Sequence, residues 1–122
     1  MYRSMMQVVV KNSDEALEFY REAFDARVLC AYHNEGAGYM HAELDVYGQV
    51  VALTELEGDT VPGNTMMFCL HFGEGGEPCV RKAYEVLKRD AVSCTPIVSD
   101  CGYSPCQFVV TDKFGVCWCL FV

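Results

Sequence analysis

His41 and Glu43 are the residues whose types and spacing best suit acid–base chemistry. They lie two positions apart in segment 40–44, where apolar and polar residues alternate as in a strand. Side chains two apart on a strand share a face, so this imidazole and carboxylate can act as acid and base toward one bound molecule. We take them as the candidate catalytic pair. A solvent-exposed or cross-strand hydrogen-bonded polar pair is the alternative interpretation.

Sulfur forms a second group of candidates. The chain has eight cysteines, but no C-x-x-C motif of the kind found in zinc ribbons and thioredoxin-like proteins. With no export signal, reduced thiols are expected. Cys117 and Cys119 share a strand face, which with Met5, Met67 and Cys69 permits soft-metal or redox chemistry. A soft apolar lining that adapts to a ligand suits the same residues.

Because side chains alternate between the two faces of a strand, further residues can be assigned to the same face as these candidates, and together they define a candidate binding face. Gln7 falls on the same face as Met5, and His71 on the same face as Met67. The face is expected to be mostly apolar, with Met5, Val9 and Val50 contributing, and with a few polar groups for orientation. The candidate ligand-binding residues are Gln7, Thr54, Met67, Cys69, His71, Cys117 and Cys119.

Composition and charge narrow the class of partner. Hydrophobic residues make up 52% and charged residues 21% of the 122-residue chain, as expected for one folded domain. The formal net charge of -8 disfavours nucleic acid and anionic membranes. We therefore expect a small neutral or cationic organic molecule as partner. Neither an apolar run of about 18 residues nor a signal-peptide h-region is found, so we expect a cytoplasmic protein.

The elements that must position these residues follow a repeated order. Periodicity predicts a strand, a helix and three strands in a first module of about residues 1–56, and the same order in a second of about 65–122. The polar, Gly- and Pro-containing segment 57–64 reads as the linker within a single domain. Predicted strands are 5–10, 27–33, 38–45, 49–55, 65–72, 92–99, 106–112 and 116–122, with helices from Asn12 to Phe24 and over 77–89. The first helix is expected to take its N-cap from segment 12–15 and to bury an apolar stripe of Ala16, Leu17, Tyr20, Ala23 and Phe24.

Two similar hairpins support the repeat. Segments 45–53 and 112–120 both carry Asp, an aromatic residue before Gly, and Leu at matching positions. A ferredoxin-like sandwich also repeats strand and helix, but needs only two strands per half. The sequence therefore predicts an α+β fold in which two βαβββ modules form a strongly curved eight-stranded mixed sheet, with the helices on its outer face.

The chain resembles the vicinal oxygen chelate superfamily, which includes glyoxalase, bleomycin-resistance proteins and extradiol dioxygenases, and most closely its PhnB-like branch. The resemblance lies in the helix segment Ala-Leu-Glu-Phe-Tyr-Arg-Glu-Ala-Phe at 16–24, Met-His-Ala-Glu-Leu at 40–44, and Asp-x-Phe-Gly-Val-x-Trp-x-Leu at 112–120. It implies a homodimer, in which neighbouring modules cover exposed strand edges.

The resemblance also implies where a metal would bind. Metalloenzymes of the superfamily carry one ligand near the start of the first strand and one on the last strand of each module. These positions fall on Met5, Ala52, Met67 and Cys119, none of which is a usual ligand for a hard cation. We therefore expect no cofactor. A divalent metal held by a shifted set, drawn from Gln7, His41, Glu43 and His71, stays open.

These observations leave three candidate functions for the protein. The first is a small-molecule-binding member of the superfamily without the usual metal site. The second is a metal-dependent lyase, isomerase or dioxygenase that uses the shifted ligand set. The third is a thiol-based sensor of soft metals or oxidants.

Overall fold

The repeated βαβββ order is confirmed. The computed structural model covers residues 1–122, which divide into two compact units, 1–61 and 62–122. Neither helix combines the length and apolar character that a membrane span requires. The first unit contains β1 (Met6–Val10), α1 (Ser13–Phe24), β2 (Arg27–His33), β3 (Tyr39–Val46) and β4 (Gln49–Glu55). The second contains β5 (Phe68–His71), α2 (Glu77–Leu87), β6 (Ser93–Cys94), β7 (Gln107–Thr111) and β8 (Cys117–Phe121).

Each unit builds its own four-stranded mixed sheet. The strand orders are β1-β4-β3-β2 and β5-β8-β7-β6, so the second sheet repeats the topology of the first. The first strand of each unit pairs in parallel with the last, and the remaining pairs are antiparallel. The α+β class is thus confirmed, with the eight predicted strands divided equally between two sheets.

In the first unit, α1 determines which face of the sheet is covered. Its predicted apolar stripe is fully buried, as are alternate residues of the strands beneath it. The buried strand residues are Val8, Val10, Ala42, Leu44, Val46, Val51 and Leu53. Because strand side chains alternate between faces, His41 and Glu43 project from the opposite face of the same sheet.

The N-terminus of α1 is capped differently from the sequence prediction. Asn12 occupies the N-cap position in a left-handed conformation (φ 63°), and its side chain makes no capping hydrogen bond. The cap comes instead from Glu55 at the end of β4. Its carboxylate accepts hydrogen bonds from the backbone N–H groups of Asn12 and Ser13, at 2.9 and 2.8 Å, and from the Ser13 hydroxyl. The prediction of a local cap was therefore wrong.

Asp112 organises the hairpin between β7 and β8. It is fully buried, and its Oδ1 accepts hydrogen bonds from the backbone N–H groups of Phe114 and Val116. Its Oδ2 accepts a 2.9 Å hydrogen bond from the indole N–H of Trp118, which is itself fully buried. The turn motif at 112–118 therefore links the hairpin backbone to the largest side chain of the second core.

Two predicted strands are shorter than expected. The strand expected over 65–72 spans only Phe68–His71, because pairing with β8 begins at Phe68 and the preceding residues are exposed. The strand expected over 92–99 is reduced to Ser93–Cys94, with an isolated bridge from Val98 to Gln107. Pro96 lies between these pairings and lacks the N–H that a continuous ladder requires.

Candidate functional site

The face of the first sheet opposite α1 brings several polar side chains into one row. Glu43 in β3 lies opposite Cys30 of β2 on one side and Ala52 of β4 on the other. Ala52 in turn lies opposite Gln7 of β1. Since directly paired residues share a sheet face, the row places Glu43 between a thiol and a methyl group.

Glu43 is the centre of this face. Only 4% of the residue is exposed, yet its carboxylate has three charged or polar contacts. Both terminal guanidinium nitrogens of Arg3 donate to it, Nη1 to Oε2 at 2.7 Å and Nη2 to Oε1 at 2.8 Å. His41 Nε2 lies 2.8 Å from Oε1. A carboxylate only accepts hydrogen bonds, so this imidazole nitrogen carries the proton and donates it.

These contacts determine the charge of Glu43. Hydrogen bonds from Arg3 and then from His41 lower the pKa of the carboxyl group to about 2. The same pairing raises the pKa of the Arg3 guanidinium. Glu43 is therefore ionised at neutral pH and acts as a hydrogen-bond acceptor and fixed negative charge. His41, whose side chain is 31% exposed, is the member of the pair that reaches solvent.

The remaining candidates of the first unit lie in β1 and β4. The Gln7 amide donates a hydrogen bond to the Thr54 hydroxyl, which in turn donates to the backbone carbonyl of Met40 at 3.3 Å. Gln7 is exposed, and Val9, expected in an apolar lining, is 41% exposed. Gln7 and Thr54 therefore form a polar pair of their own at the accessible part of this face.

In the second unit, β5 and β8 bring the sulfur candidates together. Cys69 and Cys119 are direct partners in the parallel ladder, and Cys119 also accepts a 3.3 Å hydrogen bond from the Gln107 amide. Partial burial, reinforced by Cys119, raises the pKa of the Cys69 thiol. Cys117 is buried and lies 3.3 Å from the Thr111 hydroxyl. Cys69 is thus held as a neutral thiol, while Cys117 and Cys119 make hydrogen-bonding contacts with Thr111 and Gln107.

The other two candidates of the second unit are more accessible. His71 is exposed and stacks on Phe121 with ring centroids 4.5 Å apart. Met67 precedes β5 and is 46% exposed. Of the shifted metal set, His41 and Glu43 are in contact, the Gln7 amide is bonded to Thr54, and His71 belongs to the second unit.

The positions where the family resemblance implies metal ligands do not fit a hard cation. Ala52 is fully buried and offers only a methyl group beside Glu43. Cys119 is buried against Cys69, and Met5 and Met67 offer thioethers. Hard divalent cations prefer carboxylate, carbonyl and imidazole donors.

Two residues of the Glu43 face were missed by sequence reasoning. Arg3 precedes the first strand and pairs with a residue 40 positions away, so no local pattern indicates it. Cys30 reaches the face because the β2–β3 register shifts between Val28 and Cys30. A regular strand would have turned Cys30 toward the other face, and simple alternation cannot reveal such an irregularity.

The repeated βαβββ units define the chain as a two-module α+β protein with an ionic centre on the open face of its first sheet. Residues 4–120 match the Glyoxalase/Bleomycin resistance protein/Dioxygenase superfamily, and the chain therefore belongs to that superfamily. The superfamily resemblance drawn from the sequence is confirmed. Among curated proteins, none matches the chain.

Solved structures share the fold at low sequence identity. A Pseudomonas aeruginosa protein has a TM-score of 0.80 with 14% identity, covering 99% of this chain and 97% of its own. A Bacillus cereus PhnB protein, described as a putative 3-demethylubiquinone-9 3-methyltransferase, has a TM-score of 0.70 with 19% identity, covering 98% of both chains. The E126Q mutant of the fosfomycin resistance protein FosX from Listeria monocytogenes, in complex with Mn(II) and 1S,2S-dihydroxypropylphosphonic acid, has a TM-score of 0.66 with 16% identity. The match covers 98% of this chain and 90% of that one.

Proposed function

We propose that this protein binds a small neutral or cationic organic molecule on the Glu43 face, without the metal centre found in metalloenzymes of its superfamily. The observation that carries the proposal is the state of Glu43. It is a buried, ionised carboxylate whose partner in the free protein is the guanidinium of Arg3, with an Arg3 side chain that is 43% exposed. A ligand with an ammonium, guanidinium or amide donor can satisfy the carboxylate in the same way.

His41 supports this role by fixing the carboxylate. Its hydrogen bond to Oε1 orients Glu43, and its partly exposed ring provides a second polar edge for a ligand. Gln7 and Thr54 add polar groups on the same unit, and the net charge of -8 favours a neutral or cationic ligand over an anionic one. In the second unit, taken by itself, we propose Met67, Cys69, His71, Cys117 and Cys119 as ligand-binding residues.

We also propose a place in the PhnB-like branch, a cytoplasmic location and a homodimer. For the dimer, the support is the edge strand β2, a seven-residue strand with exposed Val28, Leu29 and Tyr32. Long edges with apolar side chains are usually covered in stable proteins. Sedimentation velocity at micromolar concentration would then give a dimer mass, and a monomer mass would refute the dimer.

A thermal-shift screen of neutral and cationic small molecules tests the ligand proposal. A compound that stabilises the wild type is expected to lose that effect in Glu43→Gln, which removes the charge but keeps the side-chain size. Glu18→Gln is the matched control, because Glu18 is an exposed carboxylate that pairs with Arg21 on the surface of α1. His71→Ala reports separately on the second unit. Equal stabilisation of wild type and Glu43→Gln would refute the proposed face.

A thiol-based redox sensor is a second candidate, because Cys69 and Cys119 face each other in the β5–β8 ladder. Hydrogen peroxide would oxidise the two thiols to one disulfide, yielding two water molecules as the thiols lose two electrons and two protons. The raised pKa of Cys69 slows this reaction, since the thiolate is the reactive form. Mass spectrometry of peroxide-treated protein should show a Cys69–Cys119 crosslink if this candidate holds, and free thiols at both positions if it does not.

A further inference from the structure

We propose that Cys30, His41 and Glu43 form a binding site for a thiophilic divalent cation, best suited to Zn²⁺, on the open face of the first sheet. One potential ligand atom from each residue, a sulfur, a nitrogen and an oxygen, lies within 4.8 Å of the other two. Glu43 is buried, while Cys30 and His41 are partly exposed, which leaves the site a route to solvent. None of the three occupies a position where the superfamily resemblance implies a metal ligand.

The strand irregularity in β2 creates this juxtaposition. Val28 pairs with Leu44, which would place Cys30 opposite Ala42 in a regular antiparallel ladder. The shift between Val28 and Cys30 instead places Cys30 opposite Glu43. A bulge commonly re-aims a side chain in this manner, and here it adds a thiol to the face that carries the imidazole and carboxylate.

The donor set matches the preferences of zinc. Zn²⁺ accepts thiolate, imidazole and carboxylate ligands at about 2.0 to 2.3 Å, usually in a tetrahedral arrangement. To bind one ion, the Cys30 sulfur would move inward from a separation within 4.8 Å, and His41 Nε2 and Glu43 Oε1, now 2.8 Å apart, would separate slightly. Binding would release the Cys30 thiol proton to solvent and move the His41 proton from Nε2 to Nδ1, which frees Nε2 for the metal. Two anionic ligands would then balance the charge of the cation.

Arg3 has a defined place in such a site. Its guanidinium holds both oxygens of Glu43 in the metal-free protein. With Oε1 on the metal, the hydrogen bond to Oε2 can persist and orient the carboxylate, as carboxylate and imidazole ligands are commonly held in metal sites. Three protein ligands leave the fourth tetrahedral position to water or to a ligand atom. The site needs no organic ligand, but it uses the same Glu43 carboxylate as the proposed binding function, so Zn²⁺ and a cationic ligand would compete for that group.

Cobalt(II) titration of the intact, reduced protein tests the site, because Co²⁺ substitutes for Zn²⁺ and produces a thiolate-to-metal absorption band. We expect a saturable band at one Co²⁺ per chain that Zn²⁺ abolishes on addition. Cys30→Ser should remove the band, and His41→Gln should move saturation to higher Co²⁺ concentrations. Cys94→Ser is the control, because Cys94 is an exposed thiol in the second unit and its loss should leave the band intact.

The outcomes separate this site from other thiols. Persistence of the full band in folded Cys30→Ser would refute the proposal, as would its loss in Cys69→Ser, which would assign the metal to the β5–β8 cysteines. Failure of the wild type to produce a band at millimolar Co²⁺ would refute it as well. Circular dichroism of each variant checks that the fold is retained.

Discussion

Asp112→Asn tests how the hairpin of the second unit is held together. The native carboxylate accepts two backbone N–H groups through Oδ1 and the Trp118 indole through Oδ2. An asparagine oriented to keep the two backbone bonds would point its own N–H₂ group at the indole N–H. The substitution therefore leaves a buried donor without an acceptor and weakens the two bonds that remain.

The size of the expected stability loss follows from the burial of Asp112 and its partner. Asp112 and Trp118 are both fully buried, so water cannot replace the lost acceptor. An unsatisfied buried donor costs about 1 to 3 kcal/mol, and exchanging charged for neutral hydrogen bonds adds to this. We expect Asp112→Asn to lower the free energy of unfolding by about 2 to 4 kcal/mol.

The internal repeat supplies a matched control, Asp45→Asn. Asp45 also accepts a turn hydrogen bond, from the Gly48 N–H at 2.7 Å, but its side chain is 33% exposed. Weakening this hydrogen bond should lower the free energy of unfolding by only about 0.5 to 1 kcal/mol. Urea unfolding, followed by the fluorescence of the single tryptophan and by far-ultraviolet circular dichroism, measures both variants. Equal losses at the two positions would refute the assigned role of Asp112.

Three further predictions concern stability. Gly115→Ala should lower the free energy of unfolding by about 1 to 2 kcal/mol, because Gly115 has φ 86°, whereas Gly36→Ala should change it by less than about 0.5 kcal/mol in the same urea assay. Glu55→Gln should lower the free energy of unfolding by about 1 kcal/mol, because it weakens the cap of α1. Glu57→Gln should have almost no effect, and equal melting temperatures for these two variants would count against the cap. Because the pKa of Glu43 is lowered in the folded protein, its ionised carboxylate stabilises the fold fully above about pH 4.5, and this contribution is lost as the pH falls toward 2. The difference in unfolding free energy between wild type and Glu43→Gln should therefore shrink between about pH 5 and pH 3. A difference that is independent of pH would contradict that assignment.

The sequence was most informative where periodicity and turn chemistry act locally. The stripe of α1 and the paired Asp-containing hairpins predicted both modules, because each feature depends on residues close together in the chain. The β6 strand was overpredicted because Pro96 interrupts a segment whose apolar pattern otherwise suits a strand.

The sequence predicted His41 and Glu43 of the candidate site, but not their neighbours Arg3 and Cys30. Parity placed His41 and Glu43 on one face, and the structure brings them into direct contact. The partnership with Arg3 depends on where the irregular N-terminal segment lies, and that of Cys30 depends on a strand irregularity. Both are tertiary features without a local sequence signal. The same holds for the cap that Glu55 provides to α1.

Isothermal titration of one screened ligand into wild type and Glu43→Gln tests the central claim most directly, with Glu18→Gln as the reference. Our account predicts unchanged affinity in Glu18→Gln. It predicts at least about tenfold weaker binding in Glu43→Gln, equivalent to about 1.4 kcal/mol, because the ligand loses its charged hydrogen-bond partner. A dissociation constant that is the same in all three proteins would contradict the claim that the Glu43 face binds the ligand.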